Sequence, residues 1–86
     1  MTVLNITYNG LSADYTLDAH YHLDDQDVRR IATEVVRGGG LRGLHVPHLP
    51  RNAFRHYVVD RFSAPNGDRR IYLRPKVPFG DGAVHG

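Results

Sequence analysis

Polar and apolar residues alternate with a period of two from Thr2 to Tyr8, with Leu4, Ile6 and Tyr8 opposed to Val3, Asn5 and Thr7. That period is the mark of a strand covered on one face. Asn9-Gly10 follows and supplies the two positive-φ residues that a type I′ hairpin turn demands. The alternation then resumes over Leu11 to Tyr21, with Leu11, Ala13, Tyr15, Leu17, Ala19 and Tyr21 on one side and Ser12, Asp14, Thr16, Asp18 and His20 on the other. From Asp24 to Gly40 the period changes. Val28, Ile31, Ala32, Val35 and Val36 fall at helical spacing and form one apolar face. Asp24 is the expected N-cap, Asp25 and Asp27 suit the positive end of the helix dipole, Arg37 suits the negative end, and Gly38 is the expected left-handed stop.

The stretch GGGLRGLHVPHLPRNAF has no clear period; it predicts a connection with a short 3₁₀ turn or a brief strand near Leu44 to Val46. Phe54 to Phe62 is rich in aromatic and β-branched residues and predicts a third strand, ended by the turn signal Ser63 to Asp68. Arg69 to Arg74 predicts a fourth, with Ile71 and Leu73 on one side and Arg70, Tyr72 and Arg74 on the other. Pro75 and Pro78 end it. The order is ββαββ, a helix crossing between two hairpins onto one face of a mixed four-stranded sheet whose first and last strands run parallel. Eighty-six residues make one small domain, taken as residues 1–80, with 81–86 as a Gly-rich flexible tail.

Charge adds a polarity along the chain. Residues 1–36 carry six acids against Arg29 and Arg30, a net −4, and residues 37–86 carry nine bases against Asp60, Asp68 and Asp81, a net +6. Ten of the eleven bases are arginine, which favours bidentate pairing with carboxylate or phosphate. There is no cysteine, so disulfides and thiolate metal sites are excluded and a reducing, cytoplasmic location is expected. The first ten residues show no charged region followed by an apolar run, and no window approaches about 18 apolar residues, so neither a signal peptide nor a membrane span is expected.

Candidate chemistry is sparse. Gly38-x-Gly40-x-x-Gly43 has the dinucleotide-binding spelling but follows a helix instead of opening one, so it reads as a helix stop and loop. His20 and His22 follow Asp18, and His45 and His48 lie close together, but no further ligands converge in sequence, and no metal or other cofactor is expected. Ser12 and Ser63 have no paired base nearby, so no catalytic residue is assigned and the chain reads as a non-enzyme. Two surface signals compete. Arg51, Arg55, Arg61, Arg69, Arg70 and Arg74, interleaved with Phe54, Tyr57, Phe62 and Tyr72, form a possible nucleic-acid surface, against which Asp14 and Asp18 can pair across strands. The aromatic and apolar residues Phe54, Tyr57, Val59, Phe62 and Tyr72, with Arg70 and Arg74, form the alternative, a protein-interaction surface.

The element order, together with Ile6-Thr7-Tyr8-Asn9-Gly10, the helix Val28 to Val36 and the closing run Arg70 to Gly80, resembles the prokaryotic ubiquitin-like β-grasp domains encoded near bacterial ubiquitin-activation machinery. The resemblance spans roughly residues 2–80. It implies a bacterial protein modifier or adaptor read through its sheet face, with an activating enzyme and a peptidase as partners. For a modifier it implies activation at the carboxylate of Gly86, or of Gly80 after trimming. The chain departs from that pattern in lacking a Gly-Gly ending and in having Lys76 as its single lysine. A small phage or mobile-element inhibitor, or a nucleic-acid-associated protein using the arginines of the last two strands, is the alternative function.

Overall fold

The computed structural model describes residues 1–17 and 23–76. Strands β1 (Thr2–Tyr8) and β2 (Leu11–Leu17) form an antiparallel hairpin, followed by helix α1 (Asp25–Gly38), β3 (Val58–Ser63) and β4 (Arg69–Arg74). Asn9 and Gly10 both take positive φ, 52° and 78°, as the hairpin turn requires. The sheet order is β2-β1-β4-β3, with β1 and β4 parallel at the centre and antiparallel pairs at both edges. The molecule is thus a small α+β fold with one helix and a mixed four-stranded sheet. The expected continuation of the second strand through Asp18 to Tyr21, His22, and residues 77–86 lie outside the described residues.

Both ends of α1 are closed by local chemistry. Asp24 and Asp27 form a reciprocal capping box: the Asp27 amide donates to Asp24 Oδ1 at 2.8 Å and the Asp24 amide to Asp27 Oδ2 at 3.2 Å. The left-handed cap is Gly39 at φ 78°, one residue beyond the expected Gly38, which is still helical. The carbonyls left open by the helix end are then satisfied by the chain that follows. Gly40 N–H donates to Val35, Val46 N–H to Val36, each at 3.0 Å, and the His45 ring nitrogen Nε2 to Arg37 O at 3.2 Å. A carbonyl can only accept, so His45 carries its proton on Nε2.

The covered face of the sheet presents Leu4 and Ile6 from β1, Leu17 from β2, and Ile71 and Leu73 from β4, all buried. Against them α1 buries Val28, Ala32 and Val36, an i, i+4, i+8 row. Ile31 and Val35 only flank that row and are half-buried.

The segment between helix and β3 supplies one third of the core, in Leu41, Leu44, Leu49 and Phe54. It is neither a long 3₁₀ helix nor a strand. Successive i to i+3 bonds, Leu49 to Val46, Ala53 to Pro50, Arg55 to Asn52 and Tyr57 to Phe54, fold it into a chain of turns. The third strand accordingly starts at Val58 and not at Phe54. Phe54 is 1% exposed and stands edge-on to Tyr8 at 5.9 Å and Tyr57 at 4.9 Å between ring centroids.

Two arginines tie this layer together. Arg29 on α1 donates to Tyr57 O at 3.0 Å, and Arg61 on β3 donates to Leu23 O at 2.9 Å and pairs with Asp25 at 2.7 Å. The helix is therefore fastened to β3 at both of its approaches.

Candidate functional site

Strand register decides which side chains share the uncovered face. Val59 pairs with Leu73 and Arg61 with Ile71, so Val59 and Arg61 point to the helix side and Val58, Asp60 and Phe62 to the open side. The same rule puts Arg70, Tyr72 and Arg74 of β4 on the open side. Two cross-sheet rows result, Thr16, Val3, Arg70 and Phe62, and Asp14, Asn5, Tyr72 and Asp60; beyond them Ser12 pairs with Thr7 and Arg74 with Val58.

The centre of this face is a connected polar and aromatic group. Asn5 Nδ2 donates to Asp14 Oδ1 at 2.8 Å, and Arg70 reaches diagonally across β1 to the same carboxylate at 3.2 and 3.3 Å. Arg70 Nε also donates to the Tyr72 hydroxyl at 3.0 Å, and its guanidinium carbon lies 5.5 Å from the Tyr72 ring centroid. Tyr72 in turn holds Phe62 edge-on at 5.5 Å. Phe62 remains 57% exposed, one of three large exposed apolar side chains among the described residues. Arg74 pairs with Asp60, and Thr7 shares a 2.7 Å hydroxyl bond with Ser12.

Each arginine of the face thus has a carboxylate. Arg70 with Asp14 and Arg74 with Asp60 make a surface that is locally neutral in charge yet dense in fixed donors and acceptors. The Asn5 amide holds the Asp14 carboxyl below its ordinary pKa of 3.8; the little burial it has acts the other way, and Arg70 adds to the lowering. A depressed carboxyl stabilises the fold above its unfolded pKa, and that contribution is lost as pH falls through the folded value. The expected result is that Asp14→Asn is less stable than the parent near pH 6, and that the gap closes on acidification below about 4. Urea melts at the two pH values check it, and a gap independent of pH would mean that the charge of Asp14 contributes nothing.

Of the residues expected to form the interaction surface, Phe62, Arg70, Tyr72 and Arg74 come together on the open face. Phe54, Tyr57 and Val59 do not. Phe54 is core, and Tyr57 and Val59 are half-buried on the helix side, where burial and the neighbouring Tyr8 push the Tyr57 hydroxyl's pKa up. Gly80 and Gly86, the expected conjugation residues, lie outside the described residues. Asn5, Thr7 and Asp60 also belong to the face: alternation sets Asn5 and Thr7 opposite Leu4 and Ile6, whereas the side that Asp60 takes is decided only by the register of β3 against β4.

Among the described residues no group of three or more His or acidic side chains could hold a metal ion, and His20 and His22 fall outside them. Among the described residues no helix is long and apolar enough to cross a membrane. No protein-family model, no curated protein and no solved structure matches the chain.

Proposed function

We propose that the chain is a protein-interaction module of the ubiquitin-like β-grasp type, which docks a protein partner on its open sheet face. The order β2-β1-β4-β3 with a parallel central pair under one crossing helix supports the β-grasp reading. The observation that carries the docking reading is the Phe62–Tyr72 pair on the uncovered face, with Phe62 exposed on the edge strand β3 and edge-on to the half-buried Tyr72, beside two arginines paired to carboxylates. An aromatic anchor ringed by satisfied polar groups is how protein hot spots are built. A face whose arginines are already paired to carboxylates is poorly suited to the phosphate backbone, which weighs against the nucleic-acid alternative. A modifier role, with the carboxylate of Gly86 or Gly80 activated, is a further form of the same proposal.

The test places a photo-crosslinking phenylalanine analogue at Phe62, Val58 or Glu34 in living cells. Discrete adducts are expected from Phe62 and Val58 and not from Glu34 on the outer face of α1, and the Phe62 adduct should disappear with Tyr72→Ala. Phe62→Ala should leave stability within about 0.5 kcal/mol, because the ring is mostly exposed, so its effect on docking is separable from folding. Adducts from Glu34 alone would overturn the assignment of the sheet face.

A further inference from the structure

A second surface lies on the helix layer, away from the open sheet face. The outer side of α1 and the turns at 51–55 enclose a groove of about 760 Å³, within the range of small-ligand pockets. Arg29, Arg30 and Arg37 come from the helix and Arg51 and Arg55 from the turns, against two carboxylates, Asp27 and Glu34. That is a surplus of three positive charges around one concavity.

The pairing of these groups differs from that on the sheet. Asp27 is committed to Arg30 at 3.3 Å and to the capping box. Arg37, Arg51 and Arg55 form no ion pair among the described residues, and the half-buried Arg29 has a carbonyl partner but no carboxylate, with its buried Nε left without an acceptor. The walls are also held in place. The Arg29 bond to Tyr57 O fastens the turns to the helix, and Phe54, which floors the groove, is locked in the core. Arg30 and Arg37 stand two helical turns apart, on the order of 10 Å, which matches a ligand with more than one anionic group better than a single oxyanion.

We propose that this groove binds a small molecule carrying two or more phosphate groups, gripped by Arg37 on the helix and by Arg51 and Arg55 on the turns. Guanidinium groups bind phosphate oxygens bidentately, and Gln26 and Asn52 add neutral donors to the lining, whereas the Thr33 hydroxyl donates to Arg29 O at 2.8 Å. Among the described residues the only apolar one in the lining is the buried Phe54, so these residues offer neither the exposed apolar anchor expected of a peptide site nor the stacking aromatic expected of a single-stranded nucleic-acid site.

Titration of the ¹⁵N-labelled protein with tripolyphosphate at low salt, followed by amide shifts, tests the site; ATP and inositol hexakisphosphate serve as nucleotide and inositol forms of the same chemistry. Saturable shifts confined to α1 and residues 51–55 are expected with at least one of the three. The double variant Arg51→Gln/Arg55→Gln should weaken binding by about tenfold or more, through loss of two charge-assisted contacts, while Arg69→Gln on the sheet should change it less than about twofold. Shifts centred on Arg70 and Arg74, equal losses from Arg69→Gln, or no saturable binding by any of the three would overturn the proposal. So would tighter binding of decathymidylate or polyglutamate, which would assign the groove to a nucleic-acid or protein partner.

Discussion

Replacing Phe54 by alanine is expected to destabilise the domain by about 3–5 kcal/mol, the usual cost of deleting a buried aromatic ring. The ring is 1% exposed and touches two others edge-on, Tyr8 on β1 and Tyr57 just before β3, so its loss removes packing between the sheet and the turn segment together. A small domain has only about 5–15 kcal/mol in total, so much of its stability depends on this one side chain. Phe54→Leu should recover part of the loss, since it keeps most of the apolar volume. Urea melts of the two variants measure it. A loss below about 1 kcal/mol for the alanine variant would show that the 41–57 segment is not part of the core, because only exposed positions are that tolerant.

Phe54 also marks where sequence reading reached its limit. A strong period made β1, β2, α1 and β4 legible, and Asn9-Gly10 and Asp24 to Asp27 announced their turn and cap in residue chemistry alone. The segment from Leu41 to Tyr57 carries no period, since its buried residues Leu41, Leu44, Leu49 and Phe54 are spaced by 3, 5 and 5. Such spacing fits turns whose directions are set by tertiary packing. The β-branched and aromatic content of Phe54 to Phe62 pulled the predicted strand four residues too early, because composition registers propensity while the Tyr57 to Phe54 turn bond and burial of the ring decide the conformation.

The open face was half legible for a related reason. Alternation sorted Arg70, Tyr72 and Arg74 to one side of β4, but whether Val59 or Phe62 joined them depended on the phase of β3 against β4. That phase is fixed by the pairing of Val59 with Leu73, a contact between separate strands. Likewise, the helical stripe contained both possible rows, and the sheet selected the one through Ala32. The electropositive groove was least visible of all, since it joins Arg29, Arg30 and Arg37 to Arg51 and Arg55 across a connection whose path the sequence does not reveal.

Leu73→Ala is the second substitution expected to have a large effect, at about 2–5 kcal/mol. Leu73 is fully buried on a central strand, between Ile6 of β1 and Val59 of β3, where the surrounding sheet can relax little to fill a cavity. For a domain of this size the loss corresponds to a fall in melting temperature of at least about 10 °C. Ile31→Ala, at the half-buried margin of the helix face, should cost clearly less, so the pair of variants reports which helical row meets the sheet. Leu73 also lies between Tyr72 and Arg74 on β4, with its side chain on the opposite face. Below its lowered melting temperature the Leu73→Ala protein should therefore keep the amide shifts of Tyr72 and Phe62 near those of the parent, because strand pairing fixes the open face and cavity formation acts on the other side. Equal losses from Ile31→Ala and Leu73→Ala in thermal melts would mean that the helix packs through its Ile31–Val35 row, and the core centred on Val28, Ala32 and Val36 would have to be abandoned.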